Sequence, residues 1–271
     1  MTEAPKLTDR KALALHRARA ARAPVDFLHK VVADEVRERL AEVNKSFNAP
    51  LLIGNVTPPI PTLFPNAPVI EDVPKLSITQ GAHDLVIHAF GLHWADDPIG
   101  QMVQSRLALQ PDGLFLGVMF GGATLSELRT ALAEAEAKLT GGLSPRILPM
   151  ADLRDLGGLL QRAGLALPVA DSQSFTVRYP NLRKLVQDLR GMGETNAMAS
   201  RNRVTPAALF SEAETIYRQN FADDSYLIAT FEVIFLTGWA PAESHPKPLK
   251  PGSATNRLSD ALGVPETPIK R

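Results

Sequence analysis

The stretch from Asn48 to Pro68, NAPLLIGNVTPPIPTLFPNAP, constrains this fold more than any other part of the chain. It begins like the first strand of a nucleotide-binding sheet, with the short apolar run Leu51–Ile53 stopped by Gly54. A glycine-rich turn should follow, but the stretch instead carries six prolines. Proline lacks an N–H, so it cannot donate to a ligand or continue a helix interior. The next apolar run, DLVIHAF (84–90), begins after only 29 intervening residues.

The rest of the chain alternates strands and helices. An amphipathic helix is expected over 25–43, with Leu28, Val32, Val36, Leu40 and Val43 on one stripe. DLVIHAF and LFLGVMF (114–120) are nearly continuous apolar runs, as in a parallel sheet covered on both faces. PDG at 111–113 reads as a turn. Thr124 with Glu127 reads as a capping box opening a helix whose stripe is Leu125, Leu128, Leu132, Ala135 and Leu139. Further on, a helix near 151–163 stops at Gly164, and strands are expected near 166–170 and 174–178. A helix runs from Asn181 to Gly191, and Thr205-Pro206 opens another to about Gln219. YLIATFEVIFLTGW (226–239) reads as a long strand that could add antiparallel. The expected class is α/β, a mostly parallel Rossmann-like sheet with helices on both faces. The organisation expected is N-terminal helices over 1–46, an α/β domain over 47–240 and an irregular tail over 241–271.

Several function classes lose support. Lys plus Arg equals Asp plus Glu, so no global field favours nucleic acid. With no cysteine, thiolate nucleophiles and Cys-based metal sites are excluded. His83, His88 and His93 recur every five residues, which matches neither a helix face nor a strand face, so no metal site is expected. No apolar run approaches the roughly 20 residues that span a bilayer. Residues 10–22, RKALALHRARAAR, could be a transit peptide, but Glu3 and Asp9 argue for a basic cytosolic helix. The expected location is the bacterial cytoplasm, with peripheral attachment to the membrane as the other reading. No GxGxxG, P-loop, nucleophile elbow or HExxH is found.

In open sheets of this kind, ligands bind beyond the carboxyl ends of the strands. GLHWADDP (91–98) follows one such end. His93 could exchange protons near neutral pH and Trp94 could stack on a planar ligand. The plainer reading is that Trp94 packs a helix on the sheet while Asp96 or Asp97 caps it. MFGGATLSELR (119–129) places Gly121 and Gly122 before a helix, where a ligand could approach backbone amides or where the chain simply turns. GMGETNA (191–197) offers Thr and Asn hydrogen bonds, but alone it is a loop after a helix end.

Together these stretches, with TDRKALALHRARAA, GGLSPRI, LGGLLQRAGL and VRYPNLRKLVQDLRGMGETNA, resemble the class I S-adenosylmethionine methyltransferase-fold proteins of the mitochondrial complex I assembly type. Members of that family are described as arginine hydroxylases of a complex I iron–sulfur subunit, and the matching stretches cover most of 8–256. The resemblance implies a seven-stranded sheet and S-adenosylmethionine as cofactor. It also implies that the glycine loop, the first crossover helix, the second strand and the ribose-binding acid are missing here. Asp72, with Glu71 beside it, matches the family's acid near the adenine. By resemblance Gly54, Asp72 and Leu92 would lie at the cofactor, and His93 and Trp94 would form the catalytic wall. Phe120, Gly121, Gly122 and Arg10 would face the substrate. Arg10, Arg17 and Arg22 could cover the site, although each taken singly reads first as a solvated basic face. Asn55 and Thr57 could make a different pocket. The functional expectation is a non-catalytic or altered assembly factor acting on a protein partner such as a complex I iron–sulfur subunit. The alternative is an active S-adenosylmethionine-dependent methyltransferase or protein-arginine hydroxylase.

Overall fold

The computed structural model describes residues 6–55, 59–202, 204–245, 259 and 263. The chain divides into two units, Met1–Pro241 and Ala242–Arg271. In the second, the His245 amide donates to the Ala242 carbonyl at 3.2 Å, and most of the expected irregular tail lies outside the described residues. In the first, α1 (Arg10–Ala20) and α2 (Phe27–Glu42) precede β1 (Pro50–Gly54), β2 (Val69–Ile70) and β3 (His83–Ala89). Then come α3 (Pro98–Ala108), β4 (Leu109–Phe120), α4 (Ser126–Thr140) and α5 (Leu153–Arg162). The unit closes with β5 (Ala166–Tyr179), α6 (Leu182–Met192), α7 (Ala207–Phe221), β6 (Ala222–Asp223) and β7 (Tyr226–Trp239).

The sheet order is β2-β1-β3-β4-β7-β5, with β6 beside β7. The first four strands are parallel, and β7 enters antiparallel between β4 and β5. This is the mostly parallel α/β sheet the sequence implied. The apolar runs alternate between two cores. Leu85, Ile87, Leu116, Val118 and Phe231 face a layer with Val32 of α2, Leu128 of α4 and Tyr217 of α7. Val86, Phe115, Met119 and Ile234 face Met102 of α3 and Leu156 and Leu160 of α5. Burial of each such side chain contributes about 1.5–3 kcal/mol.

Several local expectations are corrected by tertiary contacts. Thr124 and Glu127 form no capping box. The Thr124 hydroxyl donates to the Glu232 carbonyl at 3.0 Å, and Glu127 accepts from the Thr230 amide and hydroxyl, so both side chains are spent on β7. Leu125, at φ 54, takes the N-cap position of α4 instead. Leu139 at the far end of that helix is 48% exposed and leaves the stripe. PDG is not a turn between elements but a bulge inside β4, where Asp112 sits at φ 62 and the pairing with β3 slips. The two strands expected over 166–178 are one, because β5 pairs with β7 along nearly its whole length. Helix α6 ends at Gly193, at φ 80, and not at Gly191, which lies inside it against Val25. Pro206 is the N-cap of α7, and Thr205 instead accepts from Arg146 at 2.9 Å.

The proline stretch is short and irregular where it is described. Pro61–Leu63 is a single 3-10 turn, and β2 adds two residues parallel to β1. No α-helix lies between β1 and β3 among the described residues. Asp84, 6% exposed, anchors the start of β3 by accepting the amides of Asn48 at 2.6 Å and Ala49 at 2.9 Å.

Two core histidines set an acid limit on this unit. His29 packs on Phe90 with ring centroids 4.6 Å apart, and neither ring nitrogen has a partner among the described residues. His88 Nε2 faces Gln101 Oε1 at 3.2 Å, and Gln101 Nε2 donates to the Val73 carbonyl, so His88 is the donor. Burial disfavours the imidazolium and pushes both histidines down from 6.5 to about 4. The unfolded chain binds these protons first. The stabilising contribution is therefore whole above pH 6.5 and is lost as pH falls through the folded value near 4. Each histidine should cost on the order of 2–3 kcal/mol over that interval. Urea unfolding followed from pH 7 to pH 4 is expected to show the loss, and His29→Leu should remove about half of it.

Candidate functional site

The carboxyl edge of the parallel strands is covered by α1. Asp9 caps α1 by accepting from the Ala12 amide at 3.0 Å. Asp96 takes the Leu7 and Thr8 amides at 2.9 Å each, and Thr8 bridges to Met198. So held, α1 turns Arg17 inward. Its Nη1 meets Asp72 Oδ1 at 2.6 Å and its Nη2 donates to the Phe90 carbonyl at 3.0 Å. Arg10 Nη2 donates to the Asp72 carbonyl and lies 3.4 Å from Oδ2, and its Nη1 reaches the Trp94 carbonyl at 3.5 Å. Arg10 and Arg17 are therefore not a solvated basic face, because a buried carboxylate draws both in. Arg22 stays exposed. Two glycines make the approach possible. A Cβ on Gly91 would lie 2.7 Å from Asp72 Oδ2, and one on Gly193 would lie 3.2 Å from Arg17 Cγ.

Behind α1 sits a residue the sequence reading passed over, Glu194. Its side chain is 5% exposed, and Oε2 accepts from His93 Nε2 at 3.0 Å and the Trp94 indole at 2.7 Å. Asn55 Nδ2 lies 3.4 Å from Oε1 and 3.3 Å from the Met192 carbonyl. Burial pushes the Glu194 carboxyl up, but His93, Arg17 and Trp94 outweigh it and hold it below the usual range. The only signal in the sequence was a single acid in GMGETNA, just past the glycine that ends α6. His93 also meets Phe120 edge-on, with centroids 5.2 Å apart. Asp97 does cap α3, accepting from the Gly100 amide at 2.8 Å.

The other site candidates separate. Gly54, at φ 105, is a packing glycine, since a Cβ there would run into the Ala89 carbonyl oxygen. Leu92 is 1% exposed and belongs to the core with Met102 and Phe115. The Gly121 amide donates to the Glu232 carbonyl at 2.9 Å, and the Gly122 carbonyl accepts from Arg129. Thr57, the suggested partner of Asn55, lies outside the described residues. Trp94, Phe120 and Glu194 come together at a cavity of about 810 Å³ that reaches α4, α6 and the 144–150 segment. That size suits a small-molecule or side-chain ligand.

At the strand edge several polar groups are engaged by the chain itself, while Asp72 Oδ2 and His93 Nδ1 are buried without a hydrogen-bond partner among the described residues. Asp72 and the Phe90 carbonyl hold arginines of α1, and Asn55 is turned to Met192 and Glu194. No histidine, aspartate and glutamate grouping able to hold a metal occurs among the described residues.

The parallel half-sheet with the antiparallel β7 is the fold of a methyltransferase-like chain, and relatives in sequence carry that name. The chain is 34% identical over 226 residues to the mitochondrial arginine-hydroxylase NDUFAF5 of Rattus norvegicus, covering 83% of this chain and 66% of that protein. Against the Homo sapiens protein of the same name the identity is 36% over 214 residues, covering 79% and 62%. It is 32% identical over 206 residues to the malonyl-[acyl-carrier protein] O-methyltransferase of Halorhodospira halophila, covering 75% and 68%. A methyltransferase structure from Bacillus halodurans aligns at 13% identity and a TM-score of 0.49, over 76% of this chain and 98% of that one. No family model matches. The chain belongs to the class I S-adenosylmethionine-dependent methyltransferase superfamily. It spans just under two thirds of the length of the NDUFAF5 proteins from rat and human.

Glu194→Ala would leave the His93 and Trp94 donors buried without their acceptor. The expected cost is about 3 kcal/mol in urea unfolding, together with a shift in tryptophan emission. Glu194→Gln keeps an acceptor and should cost clearly less.

Proposed function

We propose that this chain is an assembly-type member of the superfamily with an altered cofactor edge, acting on a protein partner rather than as an ordinary methyl donor enzyme. The observation that carries the reading is Arg17. Its guanidinium occupies both Asp72, the acid matched to the family's adenine contact, and the Phe90 carbonyl at the end of β3. A cofactor seated there would have to displace a buried ion pair, and breaking such a pair costs about 3–5 kcal/mol. The proline stretch supports the same reading, because proline offers no amide where a glycine turn would. The likeness to the NDUFAF5 arginine-hydroxylases suggests the kind of partner, a respiratory complex I subunit of the iron–sulfur class. The residues for contact would be those of α1 and the 193–198 loop, which pack together.

A second reading has its own support. The cavity beside Trp94 and Glu194 is large enough for a reacting side chain, as an S-adenosylmethionine-dependent methyltransferase or protein-arginine hydroxylase would need. In that case S-adenosylmethionine would supply a methyl group or a structural anchor. His93 and Trp94 would hold Glu194 as the fixed carboxylate that orients a cationic substrate.

Calorimetric titration with S-adenosylmethionine and S-adenosylhomocysteine separates the two. No heat is expected for the folded wild-type chain at millimolar ligand. Micromolar binding that Asp72→Ala weakens would overturn the altered-edge reading. Arg17→Gln tests the block directly, since it should allow weak binding if the guanidinium is what excludes the cofactor.

A further inference from the structure

The lining of the cavity has a charge pattern that the reading above does not use. Its interior is apolar, built by Phe120, Leu128, Leu132, Leu148, Met150 and Phe231. Among the described residues its charged lining is lopsided, with four arginines, Arg19, Arg146, Arg190 and Arg201, against one carboxylate, Glu194. Two of the arginines are neutralised from outside the cavity. Arg146 pairs with Glu136 at 2.6 Å, and Arg201 pairs with Asp9 at 2.9 Å. Glu194 is turned to His93 and Trp94. Arg19 and Arg190 have no ion-pair partner among the described residues, and they come from α1 and α6. Past Arg190 the cavity meets a second recess of about 350 Å³ between α6 and α7, to which Val186, Gln187 and Phe210 also belong. That recess adds Arg183, which likewise has no ion-pair partner among the described residues.

An apolar pocket whose lining includes exposed guanidinium groups without ion-pair partners among the described residues has the chemistry of a site for an amphipathic anion. The chain of such a ligand removes apolar surface from water, and its head is met by Arg donors suited to carboxylate or phosphate. We propose that this cavity binds a medium-length apolar chain ending in a carboxylate or phosphate. The chain lies against Phe120, Leu128 and Phe231, and the anionic head sits between Arg19 and Arg190. The site is distinct from the strand edge blocked by Arg17, so the proposal does not depend on whether S-adenosylmethionine binds.

The test is calorimetry on the full chain with four ten-carbon probes: decanoate, decyl phosphate, decanol and decyltrimethylammonium. Tryptophan emission is read in parallel, because Trp94 lines the cavity. Saturable binding of decanoate or decyl phosphate, at least about tenfold tighter than decanol and the cation, is expected. Whichever of the two anions binds more tightly identifies the head group. Arg19→Gln and Arg190→Gln alter exposed residues, should leave the fold intact and should each weaken anion binding severalfold. Val186→Phe should weaken it by narrowing the passage between the two recesses. Decanol binding as tightly as decanoate, unchanged affinity in both arginine variants, or no heat with any probe would each overturn the proposal. None of these outcomes bears on the S-adenosylmethionine titration, so the two readings fail separately.

Discussion

Two carboxylates, Asp72 and Glu194, are buried beyond the ends of the parallel strands, and Arg17 is the cation that serves both. A carboxylate taken out of water costs several kcal/mol unless opposite charge and hydrogen-bond donors replace the water. Arg17 meets Asp72 directly and lowers Glu194 through its field, while His93 and Trp94 supply the Glu194 donors. Helix α1 is therefore not an appendage. Without it, one acid would lose its ion pair and the other part of its stabilisation, so the N-terminal segment is built into the site.

That docking depends on small residues where backbone and guanidinium meet. Gly193 takes φ 80 and leaves room for the Arg17 stem, and Gly91 leaves room for the Asp72 carboxylate. Gly191 similarly lets α6 close on Val25, whose amide donates to the Gly191 carbonyl at 3.0 Å. The two glycines of GMG thus do more than end a helix. They bring α6 and the segment before α2 close enough for Glu194 to reach His93 and Trp94. Loop sequence, helix packing and the geometry of the buried acid are one chain of cause.

The sheet was legible in the sequence because its evidence is local. DLVIHAF and LFLGVMF are apolar on both faces, and only a strand with a layer on each side makes use of that. The stop at Gly164 was legible for the same reason, since a helix end needs only its own residues. What the sequence hid depends on distant partners. Thr124 and Glu127 have the spacing of a capping box, but Thr230 and Glu232 compete for them and win. Arg17 looks like any arginine of a basic helix, because Asp72 lies 55 residues away. Glu194 sat in plain view in GMGETNA, but nothing nearby in sequence says that an imidazole and an indole will converge on it.

The strand edge and the cavity are neighbours, and Trp94 belongs to both. Its carbonyl faces Arg10 and its indole faces Glu194, while its ring forms part of the cavity wall. The described part of the proline stretch, 59–68, lies between β1 and β2, on the far side of β3 from β4 and β7. The apolar interior is supplied largely by β4, β7 and α4, and Ile60, Leu63 and Phe64 of the proline stretch belong to the same core layer. The wall between the strand edge and the cavity is held by one buried carboxylate, Glu194.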